Sequence, residues 1–195
     1  MGARIKQHQK MEEQKNRKSI RLKNYDYSQE NYYFITICTV NRECLFGKIE
    51  NYEIQLNRLG QIVAMEWENI AKRYENIILD EYVVIPNHLH GIIQILPSVG
   101  APLAGAQESM VNRISVVKRA GARPVPTDVP MLGNIIGSFK SLCVYNWLQY
   151  IKNNENAFDS DITIKFWQRN YYEHIVRNEK SLNRIRNYIE SNLGI

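Results

Sequence analysis

A run of β-branched and aromatic residues, Tyr33-Phe34-Ile35-Thr36-Ile37-Cys38-Thr39-Val40, opens the patterned part of the chain and predicts a central strand buried on both faces. Cys44 to Ile49 and Glu53 to Leu56 then read as a short hairpin turning at Glu50-Asn51-Tyr52. The rhythm next lengthens to that of a helix: Leu59, Ile62, Val63, Trp67, Ile70 and Tyr74 share one face, and Asn57 is the candidate N-cap. Ile77 to Ile85 and Leu89 to Leu96 are two further strands, separated at Pro86-Asn87 because proline cannot donate to a sheet ladder. From 97 to 130 the pattern is lost, and five of the six prolines fall there (Pro97, Pro102, Pro124, Pro126, Pro130), which suggests a mobile insertion. Helical spacing returns in Leu132, Ile135, Ile136, Phe139, Cys143 and Trp147. Lys165 to Val176 reads as a strand, and Glu179 to Leu193 as a last helix with Leu182, Ile185, Ile189 and Leu193 on one face. The order predicts an α+β domain over 32–195, a mostly antiparallel sheet flanked by helices, close to a ferredoxin-like or RRM-like sandwich.

Composition narrows the function class. A chain of 195 residues with 44% hydrophobic and 23% charged content is globular rather than disordered. No apolar run approaches the roughly 20 residues that span a bilayer, and the N-terminus has no apolar signal core. Three cysteines, Cys38, Cys44 and Cys143, form no C-x-x-C pair, which argues against a disulfide framework or thiolate zinc site and fits the cytoplasm. The net charge of +5 is unevenly spread: eight Lys or Arg lie within residues 1 to 24, and 1–31 reads as a basic flexible arm. A second basic cluster holds Lys165, Arg169, Arg177, Lys180, Arg184 and Arg186, so a polyanion partner is expected.

The sharpest local feature is His88-Leu89-His90. On a strand, residues i and i+2 face the same way, so the two imidazoles project together and form a ready pair of divalent-metal ligands. They could equally be two surface histidines. A third ligand has to come from elsewhere. On the last helix, Tyr188 and Asn192 stand one turn apart at the edge of the apolar stripe, where a helix docked on the sheet presents both beside the sheet face.

Pro86-Asn87-His88-Leu89-His90-Gly91, preceded by Tyr82-Val83-Val84-Ile85, resembles the HUH motif (His, hydrophobic, His) of single-tyrosine transposases. Phe166-Trp167-Gln168-Arg169, Glu173-His174-Ile175-Val176-Arg177-Asn178-Glu179 and Tyr188-Ile189-Glu190-Ser191-Asn192 resemble the C-terminal signature of the REP-associated branch of that family. The resemblance implies an enzyme that cuts and rejoins single-stranded or hairpin DNA. His88, His90 and Asn192 would hold Mg²⁺ or Mn²⁺, and Tyr188 would be the nucleophile that leaves a 5′-phosphotyrosine and a free 3′-OH. Lys140, Arg169 and Arg177 are candidates for backbone phosphates, His174 for a proton helper, and Glu81 for an aid to the metal. Both monomers and homodimers that exchange the tyrosine helix are compatible with the resemblance. Two other readings stay open: a DNA-hairpin-binding protein without catalysis, and a metal-dependent nuclease that activates water while Tyr188 is structural.

Overall fold

The computed structural model describes residues 25–97, 130–154 and 164–192. Within them four strands form one antiparallel sheet: β1 (Asn31–Cys38), β4 (Ile77–Ile85), β5 (His88–Ile95) and β6 (Tyr172–Val176), in the order β4-β5-β1-β6. With helices α1 (Arg58–Arg73) before β4 and α2 (Leu132–Asn153) before β6, this is the split βαββαβ arrangement of a ferredoxin-like sandwich. The two strands β2 (Gly47–Glu50) and β3 (Glu53–Leu56) pair separately through a turn at Asn51-Tyr52, both at positive φ. The helix α3 (Glu179–Ser191) closes the described chain. No helix among the described residues is long and apolar enough to cross a membrane.

Strand parity divides the core in two. Tyr33, Ile35 and Ile37 of β1, with Leu89, Ile93 and Ile95 of β5, face α1 and α2 and meet Leu59, Val63, Trp67, Ile70, Leu132, Ile135, Ile136 and Phe139. Asn57 caps α1, its Oδ1 accepting from the Gly60 amide at 3.0 Å, as expected for an Asn ahead of the apolar stripe. The opposite face carries a smaller cluster, in which Val83, Ile85, Ile92 and Val176 of the sheet meet Leu182 and Ile189 of α3. A thirteen-residue helix is marginal on its own in water, so this docking holds it. Burial of Leu182 and Ile189 contributes about 1.5–3 kcal/mol each. Arg186 adds a two-pronged bond to Asp80 of β4, with Nε 3.1 and 3.0 Å from the two carboxylate oxygens and Nη2 2.6 Å from Oδ2. A bulge between Leu79 and Tyr82 marks this stretch of β4.

Three sequence expectations change. β1 is not buried on both faces: Tyr32, Phe34 and Thr36 are only half covered, because α3 shields only part of that side. Residues 25–31, expected to belong to a flexible arm over 1–31, are instead packed against the domain. Residues 1–24 lie outside the described residues, but Tyr27 is buried, its carbonyl accepts from the Leu132 amide at 3.2 Å, and the Tyr25 and Tyr33 hydroxyls are 3.3 Å apart. Nor is 165–176 one strand. Trp167 bridges Thr39, but Asn170 turns to a φ of 74°, and regular pairing with β1 restarts only at Tyr172. The insertion expected over 97–130 falls almost wholly outside the described residues.

Candidate active site

The strand β5 starts at His88, directly after the Pro86-Asn87 turn. That turn is pinned from outside the hairpin: the Asn87 carbonyl accepts from both the amide and the hydroxyl of Thr39 at 3.0 Å, and the Pro86 carbonyl from the Phe46 amide at 2.9 Å. Register then sets Cys38 opposite His88 and Thr36 opposite His90. The two imidazoles emerge together on the α3 side, their Nε2 atoms 2.8 Å apart and their rings nearly perpendicular at 86°.

The polar atoms around them form a proton chain whose direction can be read. The Asn87 Oδ1, 2.7 Å from His88 Nδ1, can only accept, so His88 carries its proton on Nδ1 and offers a bare Nε2. His90 Nε2 must then donate to it, which leaves His90 Nδ1 to accept from the Thr36 hydroxyl at 2.8 Å. Burial, and secondarily the charge of His88, pulls His90 down to about 4. Burial, then the nearby Arg42 charge, lowers His88 as well. Both rings are therefore neutral near pH 7, the form a cation requires.

The final helix brings the phenol to this pair. Tyr188 Oη lies 3.3 Å from His90 Nε2, within one and the same chain. Phe34 braces both rings: it stacks on His90 at 5.3 Å between centroids and meets Tyr188 edge-on at 6.3 Å. Tyr188 stays 48% exposed as a residue, whereas its partner His90 is 6% exposed and held in the sheet. The Arg186–Asp80 bond, on the opposite edge of α3, sets the helix rotation that points Tyr188 at the histidines.

The other candidates are placed differently. Asn192 caps α3, and its Nδ2 donates to the Tyr188 carbonyl at 2.6 Å. Lys140, expected at a DNA phosphate, has its ammonium committed elsewhere: it donates to the carbonyls of Gln168 and Asn170 at 2.9 and 2.5 Å and lies 5.8 Å from the centroid of the Trp167 ring. It clamps the irregular segment ahead of β6, and burial pulls it down to about 8. Arg169 is exposed on that segment. His174 pairs across from Phe34 and lies exposed, lining a cleft with Arg177. Glu81 sits on β4 beside the bulge. Among the described residues no group of three His, Cys, Asp or Glu could hold a metal ion. The sequence reading missed Thr36, Asn87 and Phe34. Asn87 was within reach as the neighbour of His88, but Thr36 and Phe34 are neighbours of the site only through cross-strand pairing.

The residues present fit a divalent cation. Neutral imidazole nitrogens are ligands that such a cation takes, and His88 and His90 present two of them on one face, their Nε2 atoms 2.8 Å apart.

Comparison with known proteins gives three findings. No family model matches the chain. An uncharacterized protein of Haemophilus influenzae is 43% identical over 176 residues, 90% of this chain and 87% of that protein. The chain belongs to one family with this Haemophilus protein. The solved structure of a REP-associated tyrosine transposase bound to a REP hairpin is similar in fold, with a TM-score of 0.50 at 14% identity, covering 88% of this chain and 71% of that one. The family's fold is thus the α+β fold of that transposase, as the sequence motifs led one to expect.

Proposed function

We propose that this chain is a single-tyrosine DNA transposase, or the nicking and strand-transfer enzyme of such an element. The observation that carries the reading is the 3.3 Å approach of Tyr188 Oη to His90 Nε2, beside a second imidazole 2.8 Å away. A buried Tyr–His contact alone is commonplace. A half-exposed phenol aimed at two neutral, convergent imidazoles has the makings of a nucleophile beside a cation site.

His88 and His90 would hold Mg²⁺ or Mn²⁺, with Asn192 offering Oδ1. The chemistry that a cation held there would supply is neutralisation of charge on the phosphate under attack. Thr36 would orient His90: its hydroxyl lies 2.8 Å from Nδ1 and can donate or accept there, so it would hold the ring with either nitrogen protonated and leave Nε2 free for a cation. Asn87 keeps His88 in the tautomer with Nε2 bare. Tyr188 Oη forms the new bond to phosphorus as the bond to the 3′ oxygen breaks, and the phenol proton ends on that 3′ oxygen, directly or through water. The ester conserves the bond energy, so a 3′-OH can reverse the attack and rejoin strands without ATP. Arg169 and Arg177, both exposed, would meet backbone phosphates, and His174 would serve as a proton relay beside them.

The test is a denaturing gel of the protein incubated with a randomised pool of labelled single-stranded hairpins and Mg²⁺ or Mn²⁺. A protein–DNA adduct that disappears in Tyr188→Phe is the expected result. Cleavage that persists in Tyr188→Phe would make water the nucleophile. Tight binding with no cleavage by the intact chain would reduce it to a hairpin binder.

A further inference from the structure

The edge of α3 that bears Tyr188 continues backward as a row of cations. Lys180, Arg184 and Tyr188 are four residues apart in turn, so their side chains rise along one edge at about 6 Å per step. Arg177 precedes the helix, and Arg177, Lys180, Arg184 and His174 of β6 line a cleft of about 520 Å³ whose other walls are Ile175, Asn178 and Ser181. Every ionisable group that lines it is basic. The carboxylate of the first helical turn, Glu179, faces the other way, 3.5 Å from Arg186 on the β4 side. The N-terminus of α3 opens beside the cleft and adds its partial positive charge, with Asn178 Oδ1 already accepting from the Ser181 amide.

We infer that this cleft is the track along which one DNA strand enters the site, its successive phosphates seated on Arg184, Lys180 and Arg177 ahead of the phosphate at Tyr188. Position and sign of charge both suit a strand. A strand carries one negative charge per nucleotide, and Arg184, Lys180 and Arg177 line the cleft in succession to meet such charges. The row also ends at the candidate nucleophile, so a strand held on it is delivered in a fixed register. Among the described residues that line the cleft none is a carboxylate. The inference rests on the proposed function for the identity of the chemistry at Tyr188, but not for the binding itself.

The experiment measures binding of labelled oligothymidylate against salt concentration, with no metal and no cleavage required. The triple variant Arg177→Gln, Lys180→Gln, Arg184→Gln is compared with a control that removes three exposed charges elsewhere, Lys48→Gln, Lys72→Gln, Lys152→Gln. Single-strand binding loses about 0.7 in the slope of log K against log salt per phosphate contact, so the cleft triple lowers the slope by about 2 and the control leaves it in place. Arg184→Gln alone lowers it by about 0.7, which covers the case of a triple variant that does not fold. An unchanged slope in the cleft variants, or an equal fall in the control, overturns the track. A lowered slope with no Tyr188-dependent adduct would leave the track standing and sink the proposed chemistry instead. An adduct with an unchanged slope would do the reverse.

Discussion

Thr36→Val isolates the hydroxyl that sets the tautomer of His90. The substitution keeps the shape of a β-branched strand residue and deletes only the hydrogen bond at 2.8 Å. Because His90 is 6% exposed, water cannot fully replace the lost partner, and the unmet ring nitrogen costs about 1–2 kcal/mol. The half-covered position of Thr36 lets the new methyl group recover part of this, so a net loss of about 1 kcal/mol is expected in urea unfolding. The effect on a bound cation is larger. If the proposed cation binds both Nε2 atoms, His90 Nδ1 would carry a proton that valine cannot accept, and loss of such an outer partner should weaken metal binding by roughly 10–100-fold. Calorimetric titration with Mn²⁺ reads this directly, and Thr36→Ser, which restores the hydroxyl, should return the affinity to within a few-fold. If Thr36→Val bound Mn²⁺ as tightly as the unaltered protein while losing stability, the proton chain would be a structural bond with no part in tuning the site, and the reasoning would fail.

Other perturbations read other parts of the argument. A Cβ on Gly91 would lie 2.3 Å from the Trp67 indole, so Gly91→Ala forces that ring to move and should cost about 1–3 kcal/mol in chemical unfolding. Tyr188→Phe should abolish the adduct yet shift stability by no more than about 0.5 kcal/mol, since the ring is 48% exposed and its hydroxyl bond is long; a large stability loss would mark Tyr188 as structural. Asp80→Asn weakens the anchor of α3 and should slow adduct formation while leaving the fold intact by far-ultraviolet dichroism; an unchanged rate would show that apolar docking alone orients the tyrosine. Lys140 binds its proton less well folded, at about 8, than unfolded, at 10.5, so the unfolded chain holds more protons between those values and stability should rise with pH across them. Relative to Lys140→Met, which cancels the other titrating groups, the gain is at most about 3 kcal/mol, and a flat difference would show the ammonium is not held as the structure indicates.

The sequence alone determined the elements with strong local signals. Apolar spacing and Asn57 placed α1, the Pro86-Asn87 break separated β4 from β5, and period-two geometry put His88 and His90 on one face. Each depends only on neighbours within a turn or a strand, which is why residues read in order suffice. Local signal misled where long-range contacts override it: in 165–176, where the aromatic run reads as strand but Lys140, nearly thirty residues upstream, holds the carbonyls of Gln168 and Asn170 in an irregular path. The tertiary structure alone decided what surrounds the histidines. Thr36 reaches His90 because β1 and β5 pair in one register rather than its neighbour, and a slip of one residue would turn that hydroxyl to the other face. Tyr188 reaches His90 because Asp80, 106 residues before Arg186, fixes the rotation of α3. Helical spacing could offer Tyr188 at the edge of a stripe, but only packing across the sheet could choose which residues that edge would meet.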